Sequence, residues 1–347
     1  MAKVTLFDLD IDELRARLQD MGQPAYRATQ IWRAAFVDLV GDYEAMTTLP
    51  SPLRADLATL IPFPVCVPAE TVATEDGRTT KDLLRLADDE TVELVTMVYA
   101  DRVTACVSSQ VGCGIRCPFC ATGYSGLVRD LAPGEIVAQV VHAARHAAAG
   151  GRRLSNVVFM GMGEPFHNTE AVFAAIGMLR DPGGLGLGAR AITVSTAGVI
   201  PGIVRLAEEL PQVNLAVSLH TVDHRLRDRL VPLNRKYPVR EVLAACRRFE
   251  RVTGRRVTFE VTLLNGVNDS VSSARALASA LRGTLAHVNL IPMNATPDTP
   301  WQPSPPRVVA AYRDAIAEVG LSVTVRESRG AEIRAACGQL RARSATP

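Results

Sequence analysis

From about residue 102 to residue 327 the sequence repeats one pattern: a short β-branched run, a polar or glycine-rich break, then an amphipathic helical stretch. The runs are RVTACVSS, LSNVVFMG, AITVS, VNLAVSL, RVTFEVTLL and HVNLIPM. Between them lie helical patterns such as GEIVAQVVHAARHAA, with apolar residues at 136, 137, 140, 141 and 144. Strands that alternate with helices pair in parallel through right-handed crossovers. Six such units predict an α/β fold, an incomplete (βα)6 barrel. A last strand, LSVTVRES, leads out of it into a C-terminal tail.

The rest of the chain is organised around that barrel. Residues 1–65 read as a small helical accessory domain. IDELRARLQDMG is one helix ending at Gly22, AYRATQIWRAAFVDLVG a second ending at Gly41, and SPLRADLATLI a third before the proline-rich break PFPVCVP. Residues 66–101 form a β-rich extension in which KDLLRLADDETVELVTMVY folds as a hairpin turning at Asp88 and Asp89. The barrel occupies 102–327 and the tail 328–347. The start, MAKVTLFDLDIDELRARL, is acidic and amphipathic, unlike a signal peptide. No apolar run approaches the roughly 18 residues that span a bilayer. Seven cysteines, three of them crowded together, make a poor secreted disulfide framework. The chain is expected to be cytoplasmic, with no membrane partner, and monomeric.

The residues that carry chemistry fall at strand C-termini, the face on which β/α barrels build their sites. The cysteine loop QVGCGIRCPFCATG follows the first strand, GMGEP the second and STAG the third; SLH, NGVND and PMN complete the ring. The loop holds Cys113, Cys117 and Cys120, one thiolate short of a closed tetrahedral zinc site. No second CxxC exists, and Cys66, Cys106, Cys246 and Cys337 stand alone. His142 and His146 lie one helical turn apart, but Ala143 stands where zinc enzymes with HExxH carry Glu, so both are expected on a solvated helix face.

The spacing C-x3-C-x2-C after a first barrel strand resembles the radical S-adenosylmethionine (SAM) superfamily. That resemblance implies a 4Fe–4S cluster held by Cys113, Cys117 and Cys120, with SAM chelating the fourth iron through its amino and carboxylate groups. The reactive species is then a 5′-deoxyadenosyl radical, with the protein positioning the cofactor. Gly163 permits close backbone approach, and Glu164 meets the SAM ammonium.

CVSSQVGC, GMGEPF, TVSTAGVIPGI, AVSLH, GVNDS, LIPMN and RGAEIRAACGQL together resemble the RlmN/Cfr family of RNA adenosine methyltransferases, as does LQDMGQPAYRATQIW near the start. The family implies methylation of an adenine in the peptidyl-transferase centre of 23S rRNA, and in the RlmN branch also of the adenosine 3′ of the tRNA anticodon. Adenine C2 has no nucleophilic lone pair, so the family parks a methyl group on a protein thiolate, here Cys337. By the same match Glu93 removes the ring proton and Cys106 cleaves the tether, leaving a disulfide that the cytosol reopens. Ser195, Ser218, Leu219, His220 and Asn294 would surround SAM. An electron donor such as a flavodoxin or ferredoxin is expected as a partner beside 23S rRNA and tRNA. Cys66 and Cys246 read as small buried hydrophobes.

The Cfr branch, which methylates C8, carries Cys where this chain has Val111 and Ala where it has Pro165. STAG and SRGAEI also lean towards RlmN. A rival of another class is a non-catalytic Fe–S or zinc RNA-binding module, which needs neither Gly163 and Glu164 nor paired lone cysteines. Charge leaves a separate question open. Eleven Lys and Arg between His224 and Arg256 face only Asp228, Glu241 and Glu250, a net of +8 in a chain of net +2. Such a segment is either a phosphate cradle beside the mouth or an arginine-rich solvated helix.

Overall fold

The computed structural model describes residues 3–294, 299–326 and 330–340, so the expected tail is described only over 330–340 and its other residues lie outside the described residues. Three helices open the chain: α1 (Ile11–Asp20), α2 (Tyr26–Phe36) and α3 (Ser51–Leu60). Asp10 caps α1 by accepting from the amides of Asp12 and Glu13, while Glu13 reaches back to the Asp10 amide. The second helix stops at Phe36, short of the predicted Gly41. Leu39 turns to a left-handed φ of 57°. The carbonyls of Leu39 and Val40 there accept from Arg145 at 2.8 and 2.9 Å, so a guanidinium on a later helix ends α2 early.

Strands β1 (Cys66–Ala73), β2 (Thr79–Leu86) and β3 (Thr91–Val98) form an antiparallel extension. The β2–β3 turn falls at Asp88 and Asp89 as predicted, with Asp89 at φ 65°. The proline-rich stretch disguised β1. Pro68 is tolerated there because β1 is an edge strand with an irregular register between Pro68 and Glu70.

Next, β3 pairs antiparallel with β4 (Val103–Cys106), the first barrel strand. A small hairpin of β5 (Gln110–Gly112) and β6 (Leu127–Asp130) then encloses α4 (Ala121–Ser125). Helix α5 (Pro133–Ala149) leads to β7 (Asn156–Phe159), α6 (Thr169–Arg180) to β8 (Ile192–Thr196), and α7 (Ile200–Glu209) to β9 (Asn214–Ser218). Two helices, α8 (His224–Leu230) and α9 (Val239–Thr253), precede β10 (Val257–Leu263). Finally α10 (Val271–Leu281) leads to β11 (His287–Pro292), and α11 (Pro306–Ala317) to β12 (Ser322–Val325).

Among the described residues the sheet order is β1-β2-β3-β4-β7-β8-β9-β10-β11-β12, with parallel pairing from β4 to β12. Because β4 pairs with β3 and not with β12, the barrel stays open. The expected incomplete α/β barrel is present. The antiparallel extension continues its sheet, and β12 adds a further parallel strand at the far edge. No helix among the described residues is long and apolar enough to cross a membrane.

One expectation about α5 needs correction. His142 is half-buried against the extension, its Nε2 3.4 Å from Oδ2 of the buried Asp82. His146 stays exposed, with Nε2 3.4 Å from Thr80 Oγ1. Burial pushes the Asp82 carboxyl up, but hydrogen bonds with His142 and Thr71 and the nearby histidines outweigh it and hold the group below its ordinary value. The sequence pattern of α5 gave the side facing the barrel and was silent about a second layer on its flank.

At the start of the same helix, the Gly134 amide donates to Asp8 Oδ1 at 2.8 Å and so seats the N-terminal unit on the barrel. A Cβ at Gly134 would lie 2.7 Å from both Asp8 Oδ1 and Thr5 Oγ1. Gly134→Ala should therefore cost about 1–3 kcal/mol by overpacking, read as a lower thermal midpoint with faster hydrogen exchange over residues 5–20. At Gly177 an added methyl meets nothing within 4 Å, so Gly177→Ala is the control and should hold or raise the midpoint.

Candidate active site

The cysteine loop is shaped by glycines. Gly112 has φ 78°, and a Cβ there would lie 1.9 Å from the Gly126 carbonyl oxygen, so only glycine lets β5 and β6 close behind the loop. The Cys113 amide donates to that same oxygen at 2.7 Å. Gly123 packs against Cys117, where a Cβ would meet the Cys117 carbonyl oxygen at 2.7 Å. The three cysteines thereby line one cavity of about 170 Å³ at the C-terminal ends of the strands. An apolar shell of Ile115, Phe119, Leu230, Val231, Leu264 and Met293 surrounds them.

Burial pushes the Cys113 thiol up to about 12, and raises Cys117 and Cys120 as well. A thiolate set in such a shell calls for positive charge, which a metal centre supplies. Among the described residues no three His, Cys, Asp or Glu converge on a point that could hold a single metal ion. A 4Fe–4S cluster makes no such demand, because each thiolate binds a different iron. The donor set fits a cluster.

Gly163, Glu164, Ser195, Ser218, His220 and Asn294 line the same cavity. Gly163 has φ 106°, and a Cβ there would strike Gln110 at 2.7 Å. Glu164 is buried, accepting from the amides of Ala197 at 2.7 Å and Phe166 at 3.1 Å. Burial raises its carboxyl to about 7, against those hydrogen bonds. A buried carboxyl poised this way suits a cationic ligand group. His220 holds a left-handed φ of 60°, with Nδ1 accepting from the Thr262 amide at 3.1 Å. Burial, with Arg227 adding, pushes it down to about 3, so the ring is neutral and its proton sits on Nε2, facing away from that bond. Phe119 packs edge-on against it at 4.8 Å.

Leu219 is placed differently. Its side chain is wholly buried in the main core, its amide donates to the Glu260 carbonyl at 3.0 Å, and its carbonyl accepts from Arg227 at 3.1 Å. It does not line the cavity.

The tail crosses the open side of the barrel. The Ala121 amide donates to the Gly338 carbonyl at 2.8 Å, and Thr122 Oγ1 donates to the Leu340 carbonyl at 2.6 Å. Asn294 Nδ2 donates to the Cys337 carbonyl at 3.2 Å. Cys337 thus borders the cysteine cavity and also a side cavity of about 30 Å³, whose walls include Cys106. Burial pushes the Cys106 thiol up to about 12, Cys337 adding to this and the Arg326 guanidinium opposing it. No disulfide joins any two of the seven cysteines. Cys246 is buried in the core and Cys66 half-buried, both pushed up to about 12 by burial.

Glu93 is buried on the face of β3 that also carries Val95 and Met97, two walls of the side cavity, though Glu93 itself is not a wall. Its Oε1 lies 3.0 Å from Lys81 Nζ. Reading the sequence missed Glu260, Arg326 and Lys81. The first two line the cysteine cavity. Their signal was available: Glu260 is the one charge in the middle of the apolar strand β10, and Arg326 is a charge just past the end of β12.

Eight of the eleven cations in the basic segment fall into three groups. Arg227 is wholly buried and donates to the carbonyls of Ala197 at 2.7 Å, Leu219 at 3.1 Å and Ser218 at 3.3 Å, and to Asn234 Oδ1 at 3.0 Å. Arg247 and Arg248 lie on the last turns of α9, at the end of the barrel opposite the site. They bond the Ala280 carbonyl at 2.8 Å and Glu208 at 3.0 Å. Arg225, Arg229, Arg235, Lys236 and Arg240 are exposed on the α8-to-α9 stretch that follows β9 at the mouth.

Comparison with known proteins agrees with this geometry. Residues 107–275 match the radical SAM superfamily, and residues 4–62 match the ribosomal RNA large subunit methyltransferase N-terminal domain. The crystal structure of a radical SAM methyltransferase from Sphaerobacter thermophilus is similar at 53% identity and a TM-score of 0.97, covering 98% of this chain and all of that one. A curated protein of Frankia alni, named "Probable dual-specificity RNA methyltransferase RlmN", is 52% identical over 98% of this chain and 83% of its own length. A Chloroflexus aurantiacus protein of the same name is 46% identical over 100% and 95%. Fold and site together define a radical SAM enzyme. Within that class the chain belongs to the RlmN family of RNA methyltransferases.

Arg227 ties the ends of β8 and β9 to α8, so its loss should be felt as stability. Arg227→Leu leaves several buried carbonyls without their donor and should cost about 3–5 kcal/mol. Arg229→Leu, exposed on the same helix, should stay within about 0.5 kcal/mol. Denaturant titration of the two variants measures the contrast.

Proposed function

We propose that the protein transfers a methyl group from SAM, by a radical mechanism through S-methylated Cys337, to C2 of an adenosine in 23S rRNA and of the adenosine 3′ of the tRNA anticodon. The observation that carries the reading is the position of Cys337, which borders both the cavity of the three clustered cysteines and the side cavity of Cys106. A shuttling sulfur needs both neighbours. The choice of C2 over C8 rests on Val111 and Pro165 and on relatives named RlmN.

In this reading Cys113, Cys117 and Cys120 hold a 4Fe–4S cluster. Glu164 meets the ammonium of SAM, with Gly163, Ser195, Ser218, His220 and Asn294 around it. When bound, the cluster and SAM supply one-electron chemistry able to open a carbon–hydrogen bond. Cys337 presents its methyl carbon to that chemistry and then to the adenine, which has left its stack to enter the mouth. Once the carbon–carbon bond has formed, the adduct gives up its unpaired electron to the one-electron chemistry that began the step, Glu93 takes the ring proton, and the C–H electron pair restores the aromatic purine. Cys106 sulfur then attacks Cys337 sulfur. An S–S bond forms, the S–C bond breaks with its electron pair going to carbon, and that carbon takes up a proton to become the methyl group. A cellular dithiol reopens the disulfide, a reductant that a reducing cytoplasm would supply. A flavodoxin or ferredoxin would deliver electrons.

Cys106→Ala should load methyl on Cys337 and form the carbon–carbon bond, yet stop at the tether. Denaturing gels with labelled RNA, SAM and reductant should show a protein–RNA adduct that nuclease trims to one linked nucleotide, and Cys337→Ala should show none. Free methylated RNA at normal yield from Cys106→Ala would remove Cys106 from the reaction.

RNA affinity should depend on the mouth cations and not on the far end of α9. Neutralising Arg225, Arg229, Arg235 and Lys236 together should lower the salt slope of binding by up to about three units, at roughly 0.7–0.9 per phosphate contact. Neutralising Arg247, Arg248 and Arg251 should leave the slope in place, since Arg247 and Arg248 already serve protein groups. Titrating affinity against salt for both variants decides the matter.

A further inference from the structure

Lys81 lies on β2, outside every motif that marks the family, yet it touches two parts of the proposed machinery at once. Its Nζ is 3.0 Å from Glu93 Oε1 and donates to the Arg334 carbonyl at 3.3 Å. The pair is shielded, with Lys81 15% and Glu93 5% exposed at the side chain. A buried carboxylate is costly unless an opposite charge and hydrogen bonds hold it, and an ammonium with three donors can serve two acceptors together. Its second acceptor belongs to the tail. Gly330, at φ 68°, packs so closely on β2 that a Cβ there would meet Thr79 Cγ2 at 3.0 Å. Arg334 holds a left-handed φ of 55° that presents its carbonyl. Three residues on is Cys337.

We infer that Lys81 is a positioning residue that fixes the Glu93 carboxylate relative to the tail carrying Cys337, so that the base is in register with the ring carbon once the tether has formed. This deepens the function proposed above and rests on it. The proton passes from the ring carbon to a Glu93 oxygen, and the C–H electron pair stays in the purine. Lys81 neither gives nor takes a proton. Its contribution is placement, for which an error on the order of 1 Å costs about a hundredfold in rate.

The test uses the full-length enzyme with its cluster reconstituted, and four variants. Lys81→Gln keeps a donor for the Arg334 carbonyl without the charge, Lys81→Arg keeps the charge, and Cys106→Ala reports whether the underlying reaction runs through a tether. The readouts are methyl on Cys337 by peptide mass, RNA adduct on a denaturing gel, and hydrogen exchange over residues 330–340 without SAM or RNA. Lys81→Gln should load Cys337 normally, accumulate adduct and release product about tenfold to a hundredfold more slowly. Lys81→Arg should restore most of the release. The tail should exchange little faster in Lys81→Gln, and faster in Lys81→Met, which loses the donor as well.

Product release at the parent rate from Lys81→Gln overturns the proposal. So does loss of methyl loading with a loosened tail, since Lys81 would then serve the tail and not the base. If Cys106→Ala yields no adduct, the tethered mechanism fails on its own account, and that failure is distinct from either result at Lys81.

Discussion

The barrel is not closed by its own strands. The first barrel strand spends its free edge on the antiparallel extension, and among the described residues the last parallel strand has no strand beyond it. A seam is left, and the tail 330–340 crosses it. On one side the tail meets Thr79 and Lys81 of the extension and bonds the helix that follows the cysteines; on the other the Cys337 carbonyl accepts from Asn294, just past β11. Everything that sets Cys337 within reach of both its neighbours depends on that crossing. A fully closed barrel would have no opening through which a carrier sulfur could face two chambers.

Charge inside this protein is placed under the same economy. Arg227 has no carboxylate within its hydrogen-bonding set and is held by carbonyls from two strand ends. It thereby locks the rim of the cavity while keeping a cation beside the cysteines. Glu164 takes the opposite role, a carboxyl held by amides and raised by burial, ready for a positive ligand group. Both are expensive to bury, and both sit where strands end and backbone donors and acceptors lie spare.

The barrel was legible because its signal is local. Six alternating runs and their helices set the strand order, and most residues that line the cysteine cavity come from the ends of those runs and the loops that follow them. What escaped was whatever depended on one element seen from another. The end of α2 is set by Arg145, more than a hundred residues away in sequence. His142 looks outward on its own helix and inward once the extension lies over it. The basic segment counted as one charge in sequence, but folding sends one arginine to the core and others to opposite ends of the barrel. Leu219 was named beside two cavity residues, yet strand alternation turns its side chain into the core. Lys81 and Glu93 offered no spacing to read, since they meet across two antiparallel strands.

The two glycines that face each other behind the cysteine loop have a consequence for engineering. With Gly112 and Gly126 in backbone contact, the loop is in effect a ring of fixed circumference, closed by an amide and a carbonyl. The spacing of the cysteines alone does not define it. Grafting those cysteines onto another scaffold without both glycines would transfer the ligands and lose the curvature that gathers them. The smallest portable unit is therefore the whole hairpin from Gln110 to Asp130, and its insertion point must offer a strand end on one side and a helix start on the other.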